Sequence, residues 1–269
     1  LLLLANPRPI LKEKIKKELE KIEETFGVKV LFAVESGSRA WGFPSDDSDY
    51  DVRFIYAYPK DWYLSVFEKE DVIILPIDDD LDINGWDIRK TFRLLYKSNP
   101  ALLEWFKSPI VYRINERALA PLRSLVDDVC MYESLCHHYL SMAKTHIVKF
   151  KSGEKVKIKK YLYTLRPLLC CQWVASFETQ PPILFDDLLD KFLPSGDVRR
   201  IVDDLLKIKR STRETDFVSR SPVLEKYMTD LFDDLGNRLP KNKGKLAVDR
   251  FDVAFRKTLD LVNCSYDSK

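Results

Sequence analysis

ESGSRAWGFPSDDSDYDVRF, residues 35–54, is the stretch around which the predicted fold is built. The apolar run LFAV precedes it and predicts a buried strand. Gly37 and Ser38 then begin a short predicted helix, followed by a turn rich in Pro, Ser and Asp. The chain next enters a second predicted strand that carries Asp49 and Asp51 at its start. Because successive strand side chains point to opposite faces, these two aspartates should project together.

Asp49 and Asp51 form a candidate metal site. Two carboxylates held this close repel each other, and a divalent cation relieves that repulsion. Hard oxygen ligands at a site open to phosphates favour Mg²⁺, with Mn²⁺ as the alternative ion.

The same stretch resembles a known enzyme superfamily. A Gly-Ser pair at a helix start, ten residues (39–48) and an Asp-x-Asp on a strand resemble the nucleotidyltransferase superfamily of DNA polymerase beta. More narrowly, the block is similar to predicted bacterial and phage nucleotidyltransferases associated with RNA repair, which GWDIRKTFRLL, NPALLEWFKSPIVYR and KKYLYTLRPLL also match. The resemblance covers residues 30–169, more than half of the chain. It implies transfer of a nucleoside monophosphate from a nucleoside triphosphate to a hydroxyl, with release of pyrophosphate.

The resemblance also implies two metal ions held by three carboxylates. Two candidates for the third carboxylate are Asp82, in the sequence LDI, and Asp87, in the sequence WDI. Asp82 lies inside a predicted strand, where it can face the pair, whereas Asp87 lies at a strand-to-helix junction, where helix capping is a sufficient role. We therefore predict that Asp49, Asp51 and Asp82 are the catalytic and metal-binding residues, with Asp87 as the open alternative.

The nucleotide is predicted to contact the Gly-Ser block. Backbone amides at Gly37 and Ser38 would hold triphosphate oxygens, because a helix N-terminus favours anions and glycine allows a close approach. The Ser38 hydroxyl and the charge of Arg39 would add to this. The pattern of the resembling group places a lysine at Lys90, one turn past the third predicted strand, where it could reach a phosphate.

A later helix, KIKKYLYTLRPLL, supplies the remaining predicted nucleotide contacts. Lys160, Tyr163 and Arg166 recur near one face, so that the cations can hold phosphate and the tyrosine can stack on a base. A core helix with a polar edge is the alternative interpretation.

The composition is that of an ordinary globular protein. The chain has 269 residues, a net charge of +2, 45% hydrophobic and 32% charged residues, so nucleic-acid binding would need a local basic patch. Its five cysteines form no CxxC pair, which favours reduced thiols and a cytoplasmic location. The opening LLLLANP is shorter than a signal peptide or a membrane span, and we expect no membrane span elsewhere, because no other stretch reaches that length.

The predicted fold class is α+β. A small mixed-sheet nucleotidyltransferase domain is expected at residues 1–114. An all-helical domain that binds substrate or nucleotide is expected at residues 115–269, where strand signals nearly vanish and helical patterns recur.

The acceptor is the least determined part of the prediction. The RNA-repair resemblance implies an RNA 3′ end, and two basic runs could hold its backbone while Tyr161 and Tyr163 stack its terminal base. A protein or small-molecule hydroxyl would use the same carboxylates, and an antitoxin-like binding protein would keep the fold without turnover. The residues of the two basic runs are Lys144, Lys149, Lys151, Lys155, Lys157, Lys159, Lys160, and Arg199, Arg200, Lys207, Lys209, Arg210, Arg213.

Overall fold

The computed structural model describes most of the chain. The described residues are 9–78, 80–129, 131–147, 154–211, 217–241, 244 and 246–266, and only the backbone is described for Ser265 and Tyr266. The strands are β1 Lys29–Glu35, β2 Tyr50–Ala57, β3 Val72–Ile74, β4 Leu81–Asp87, β5 Val111–Ile114, β6 Lys155–Lys157 and β7 Phe217–Ser219. The helices are α1 Pro9–Phe26, α2 Gly37–Trp41, α3 Ile88–Tyr96, α4 Pro100–Lys107, α5 Glu116–Arg123, α6 Tyr132–Ile147, α7 Ile158–Phe177, α8 Phe185–Phe192, α9 Asp197–Ser211, α10 Pro222–Asn237 and α11 Val248–Tyr266.

The chain divides into two compact units. The first comprises Leu1–Gly37, Asp49–Val129 and Gly244–Lys269, and the second comprises Ser38–Ser48 and Cys130–Lys243. This division differs from the predicted boundary after residue 114, because the apolar faces of α5 and α11 pack together within the first unit. The segment that follows Gly37 belongs to the second unit.

A mixed sheet forms the centre of the first unit and confirms the predicted α+β class. Its strand order is β3-β4-β2-β1-β5. Strands β2 and β4 run parallel, whereas the pairs β1–β2, β1–β5 and β3–β4 are antiparallel. The parallel pair matters for the site, because it aligns the N-terminal ends of β2 and β4 side by side.

One face of this sheet is covered by α1. Apolar residues recur along α1 at helical spacing, and Ile15, Leu19 and Ile22 are buried. They belong to one hydrophobic core with alternate residues of the central strands, including Phe54 and Leu81. The side chains between those core positions therefore point to the other face of the sheet.

The other face is covered over part of its area by α4. The ring of Trp86 on β4 stacks on that of Trp105 with centroids 3.9 Å apart, and Phe32 on β1 stacks on Phe106 at 5.6 Å. Farther along the same face, toward the start of β2 and β4, polar side chains replace the aromatic ones. This face of the sheet thus carries polar side chains beyond the area in which aromatic residues stack on α4.

The second unit is helical, as predicted, with one addition. Helices α6 and α7 pack against each other, and α7 also packs against α8, α9 and α10. Strands β6 and β7 form a two-stranded antiparallel ribbon in which Lys155 pairs with Ser219. Two three-residue strands so far apart in sequence give no local alternation to detect, which is why this ribbon was not predicted.

Two sequence expectations concern the chain as a whole. Within the ranges given above, no helix is both long and apolar enough to cross a membrane. The four cysteines in those ranges, Cys136, Cys170, Cys171 and Cys264, are free thiols.

Gly85 leads to a stability prediction. A Cβ atom on Gly85 would lie 2.2 Å from the ring of Phe54, which is fully buried on the paired strand. We expect Gly85→Ala to lower the free energy of unfolding by about 1–3 kcal/mol, because an overpacked core side chain cannot move aside freely. Chemical denaturation of the full chain measures this change.

Gly236→Ala is the matched control. Gly236 lies near the end of α10, and an added Cβ meets no atom within 4 Å. We expect this variant to be as stable as the wild type or more stable by about 0.5–1 kcal/mol, since alanine favours a helix. Equal stability of Gly85→Ala and the wild type would show that Phe54 is not held in place.

Candidate active site

The parallel pairing of β2 and β4 places Asp51 beside Asp82. These two residues are direct register partners, as are Arg53 and Asn84 two positions later. The Arg53 Nη2 atom donates to Asp51 Oδ1 at 2.8 Å and to Asp82 Oδ2 at 2.7 Å. A single guanidinium nitrogen therefore holds both carboxylates.

The side chains of this cluster are partly open to solvent. The exposed fractions are 19% for Arg53, 29% for Asp51 and 24% for Asp82. Arg53 Nη1 also donates to the Asp82 carbonyl at 2.8 Å, and the amide of Asn84 donates to Asp82 Oδ1. Both oxygens of Asp82 are consequently oriented, while the cluster stays within reach of a ligand.

The sequence analysis considered only repulsion between neighbouring carboxylates, whereas in the structure Arg53 forms ion pairs with both Asp51 and Asp82. Asp51 forms an ion pair with Arg53, so neutralising Asp51 removes an attraction as well as a repulsion. The sequence reasoning missed Arg53, although it lies two residues after Asp51. Strand alternation alone places it on the same face.

Gly37 lies directly against the Asp51 carboxylate. A Cβ atom at this position would be 2.1 Å from Asp51 Oδ2, and the backbone has a φ of +62°. Both facts require glycine. The backbone of Asp51 is fixed as well, because its N–H donates to Glu35 Oε1 at 2.8 Å and its carbonyl accepts from the Ser36 N–H at 2.9 Å.

Glu35 is a second residue that the sequence did not single out. It is fully buried at the end of β1, and the Tyr112 hydroxyl donates to its other carboxylate oxygen. Through its bond to the Asp51 N–H, it sets the position at which β2 begins. An acidic residue directly after the apolar run LFAV and two positions before Gly37 is the sequence signal that could have found it.

Asp49 precedes β2 and is exposed. Among the residues that the structure describes, no three His, Cys, Asp or Glu side chains are grouped so that they could hold a metal ion. The structure therefore brings Asp51 and Asp82 together and does not group Asp49 with them as a third ligand in this conformation. The paired carboxylates fit a cation on their own chemistry, since they already hold the guanidinium of Arg53 between them.

Asp87 lies at the opposite end of β4 and caps α3. Its side chain accepts hydrogen bonds from the Arg89 N–H at 2.8 Å and from the Tyr63 hydroxyl at 2.7 Å. It lies five positions along the strand from Asp82, a distance of roughly 16 Å. Burial raises the pKa of Asp87 to about 6, and the hydrogen bond from Tyr63 opposes that rise.

Lys90 is not brought to the carboxylates. It lies on the first turn of α3, next to the Asp87 end of β4, and its Nζ donates to Asp71 Oδ1 at 2.7 Å. The length of β4 lies between Lys90 and Asp82, and the prediction that Lys90 could reach a phosphate stays a prediction.

Ser38 and Arg39 are buried residues of α2. The Ser38 hydroxyl donates to Ser48 Oγ at 3.4 Å, and Arg39 Nη2 donates to the Ser48 carbonyl at 2.6 Å. Arg39 thus closes the loop between α2 and β2, because it joins the helix to Ser48 near the end of that loop. The Lys209 Nζ donates to the Ser45 hydroxyl at 3.3 Å in the same cluster.

The other predicted nucleotide contacts lie on α7 in the second unit. The guanidinium of Arg166 lies 4.2 Å from the centroid of the Trp41 ring, and the Tyr163 ring meets Trp41 edge-on at 5.3 Å. Tyr163 and Lys160 are half-buried, whereas Arg166 is buried and donates to the Ile183 carbonyl at 3.2 Å. Trp41 was missed, although it lies inside the Gly-Ser block.

Two expectations about RNA contacts are corrected. Tyr161 is buried, and its hydroxyl donates to Glu225 Oε1 and accepts from the Ser221 N–H, so it cannot stack on a terminal base. Lys209 is also buried and cannot belong to a surface run. Three members of the basic runs, Lys149, Lys151 and Arg213, lie outside the described residues.

Comparison with known proteins gives three findings. A family model described as RlaP, RNA repair pathway DNA polymerase beta family, matches residues 11–257. A protein of Bacillus subtilis (strain 168), named uncharacterized protein YcgL, is 46% identical over 218 residues, which cover 81% of this chain and 84% of that protein. A crystal structure of a nucleotidyltransferase-like protein from Exiguobacterium sibiricum 255-15 is 10% identical in sequence, and the match covers 83% of this chain and 73% of that protein's chain. Its TM-score of 0.30 is too low to establish a shared fold.

The raised pKa of Asp87 predicts a pH dependence of stability. The folded state keeps the Asp87 proton up to a pH of about 6, whereas an unfolded aspartate loses it near 3.8. The stability that protonated Asp87 contributes is therefore complete below about pH 4 and is lost as the pH rises to about 6. We expect Asp87→Asn to remove roughly 2–3 kcal/mol of this pH dependence, measured by denaturant unfolding from pH 4 to pH 7.

Tyr63→Phe tests the same assignment from the opposite direction. Removing the Tyr63 hydroxyl removes a bond that lowers the Asp87 pKa, so the loss of stability should extend to a higher pH than in the wild type. An unchanged pH profile in both variants would show that Asp87 is not the group responsible.

Proposed function

Because this chain belongs to the RNA repair pathway DNA polymerase beta family, we propose that it is a metal-dependent nucleotidyltransferase. The observation that supports this proposal most directly is the pairing of Asp51 and Asp82 around one cation on adjacent parallel strands. The reaction would transfer a nucleoside monophosphate from a nucleoside triphosphate to a hydroxyl group. The hydroxyl would lose its proton to solvent and its oxygen would bond to the α-phosphorus, while the bond from the α-phosphorus to the pyrophosphate leaving group breaks.

The proposed metal ligands are Asp49, Asp51 and Asp82. When bound, Mg²⁺ would neutralise triphosphate charge and lower the pKa of the acceptor hydroxyl. Arg53 and Asn84 each donate to one of the two carboxylate oxygens of Asp82 from the same face of the sheet, which would orient Asp82 for this role. Asp49, which is exposed just before β2, would complete the proposed set.

Gly37 would let the Asp51 carboxylate lie directly against the start of α2, where the triphosphate is proposed to bind. Its missing side chain and its positive φ keep the backbone close to Asp51 Oδ2 without a clash. The backbone amides of Gly37 and Ser38 remain the proposed triphosphate contacts, whereas Arg39 supports the loop through the Ser48 carbonyl. Lys160, Tyr163 and Arg166 remain proposed nucleotide contacts.

An RNA 3′ end is the proposed acceptor. Its support is the RNA repair description of the family and the basic character of β6, where Lys155 is exposed and the Nζ of Lys157 lies 5.7 Å from the centroid of the Phe217 ring. Cations next to an aromatic ring suit a nucleic-acid backbone and its bases. After a reaction with a labelled nucleoside triphosphate, label in the RNA supports an RNA acceptor, whereas label in a protein or a small molecule supports one of the alternative acceptors.

A protein of this fold that binds without turnover is the second candidate. It is favoured by one observation, which is that the Arg53 guanidinium lies between Asp51 and Asp82 in the position that suits a metal ion. The two candidates differ in whether Mg²⁺ and Arg53 compete for the carboxylates.

The first test compares two aspartates of the same strand. We expect Asp82→Asn to lower transfer from labelled nucleoside triphosphates to total RNA by about 100-fold or more, since it removes a charge that acts on the reacting groups. Asp87→Asn is the matched control and should retain activity within a few fold, because Asp87 lies at the far end of β4. Loss of activity only in Asp87→Asn would refute the assignment of Asp82, and absence of transfer in the wild type with every nucleotide would favour the binding protein.

The second test examines the cation site itself. Without metal, Arg53→Gln should destabilise the fold by about 1–2 kcal/mol, because two partly exposed carboxylates lose their shared cation. Mg²⁺ should then raise the melting temperature of Arg53→Gln more than that of the wild type, since a ligand that binds only the folded state stabilises it. Differential scanning calorimetry with MgCl₂ or EDTA measures both effects.

Arg53→Gln combined with Asp82→Asn provides the control for this measurement. One of the two paired carboxylates is then absent, so the response to Mg²⁺ should disappear. A similar response of wild type, single variant and double variant would mean that the metal does not bind between Asp51 and Asp82.

A further inference from the structure

The first unit contains a cavity of about 600 Å³ between α3 and α11. Its volume lies in the range of natural small-molecule sites. It begins beside the Asp87 end of β4, where Tyr63 and Arg89 contribute to its wall. The paired carboxylates lie at the other end of that strand, so this cavity is not part of the proposed catalytic site.

Aromatic rings from both helices form the walls of the cavity. The rings of Phe92 on α3 and Phe255 on α11 meet edge-to-face at 5.7 Å, and those of Tyr96 and Phe251 meet at 5.1 Å. These contacts fix the ring orientations. Faces of aromatic rings in a half-open cavity suit a flat aromatic ligand such as a nucleobase.

Three cations line the α3 side of the cavity. Arg89, Arg93 and Lys97 are spaced four residues apart and therefore share one helix face. Arg89 is committed to the protein, since its Nη2 donates to the Tyr63 carbonyl at 2.8 Å and its guanidinium lies over the Tyr63 ring at 4.9 Å.

Arg93 and Lys97 differ from Arg89 in this respect. Both are exposed, and neither forms an ion pair with an acidic residue in the described part of the chain. On the opposite wall, α11 contributes one carboxylate to the lining, that of Asp252. The cavity thus combines an aromatic interior, two cations available for an anion, and one hydrogen-bond acceptor on the facing wall.

We propose that this cavity binds a nucleotide. Its base would lie among the rings of Tyr96, Phe251 and Phe255, its phosphate would bind Arg93 and Lys97, and Asp252 would accept a hydrogen bond from an amino or hydroxyl group. A simple anion would not use the aromatic walls, and an apolar ligand would not use the cations. This binding does not depend on turnover at Asp51 and Asp82.

The experiment measures binding to the full chain in EDTA, so that metal-dependent binding of a triphosphate does not contribute. Nucleoside 5′-monophosphates are titrated by calorimetry, and a short fluorescent single-stranded RNA is titrated by anisotropy. The variant Arg93→Glu/Lys97→Glu should weaken binding about tenfold or more, because it replaces two charge-assisted contacts by repulsion. Tyr96→Leu should weaken it several fold by removing a stacking surface.

Lys12→Glu/Arg117→Glu is the matched control. It makes the same change of charge on exposed faces of α1 and α5 that do not line the cavity, so it should bind like the wild type. Selective loss with monophosphates identifies a free nucleotide as the ligand, and selective loss with RNA alone identifies a nucleotide within a strand. The proposal is overturned if neither ligand binds, or if the cavity variant and the control variant bind equally well.

Discussion

The bond from one guanidinium nitrogen of Arg53 to both Asp51 and Asp82 is the interaction on which the candidate site depends. It requires that β2 and β4 run parallel, because only then do the N-terminal ends of both strands meet with Asp51 and Asp82 in register. The cation compensates for two like charges on adjacent strands. The sheet can therefore carry a pair of carboxylates without a metal ion present.

The hydrophobic core explains why this polar group is confined to one place. Alternate residues of β2 and β4 pack against α1, and Gly85 leaves space for the Phe54 ring on that side. A one-residue shift of β4 would place Asp82 in this core and Ile83 beside Arg53. The energy of burying the apolar face thus holds the carboxylates in register, and the Glu35 bond to the Asp51 N–H fixes where β2 begins.

The sequence predicted the elements well because their signals are local. Alternation and helical periodicity found the strands of the sheet and the helices of the second half, and the capping role of Asp87 followed from its position before α3. Contacts between distant residues were not predictable in the same way. Three features depend on contacts that no local sequence pattern indicates. They are the ribbon of β6 and β7, the packing of α11 in the first unit, and the bond from Arg39 that closes the loop between α2 and β2.

Strand β4 shows how position decides the role of two identical side chains. Asp82 is partly exposed and bound to a cation, so it stays available to a ligand. Asp87 is buried and receives hydrogen bonds from Tyr63 and the Arg89 N–H, and burial raises its pKa to about 6. The same strand therefore carries a carboxylate suited to binding at one end and a carboxylate committed to the fold at the other. Asp87 also caps the N-terminus of α3, and the α3 side of the cavity carries Arg93 and Lys97, so the end of β4 is directly connected to the charged wall of the cavity.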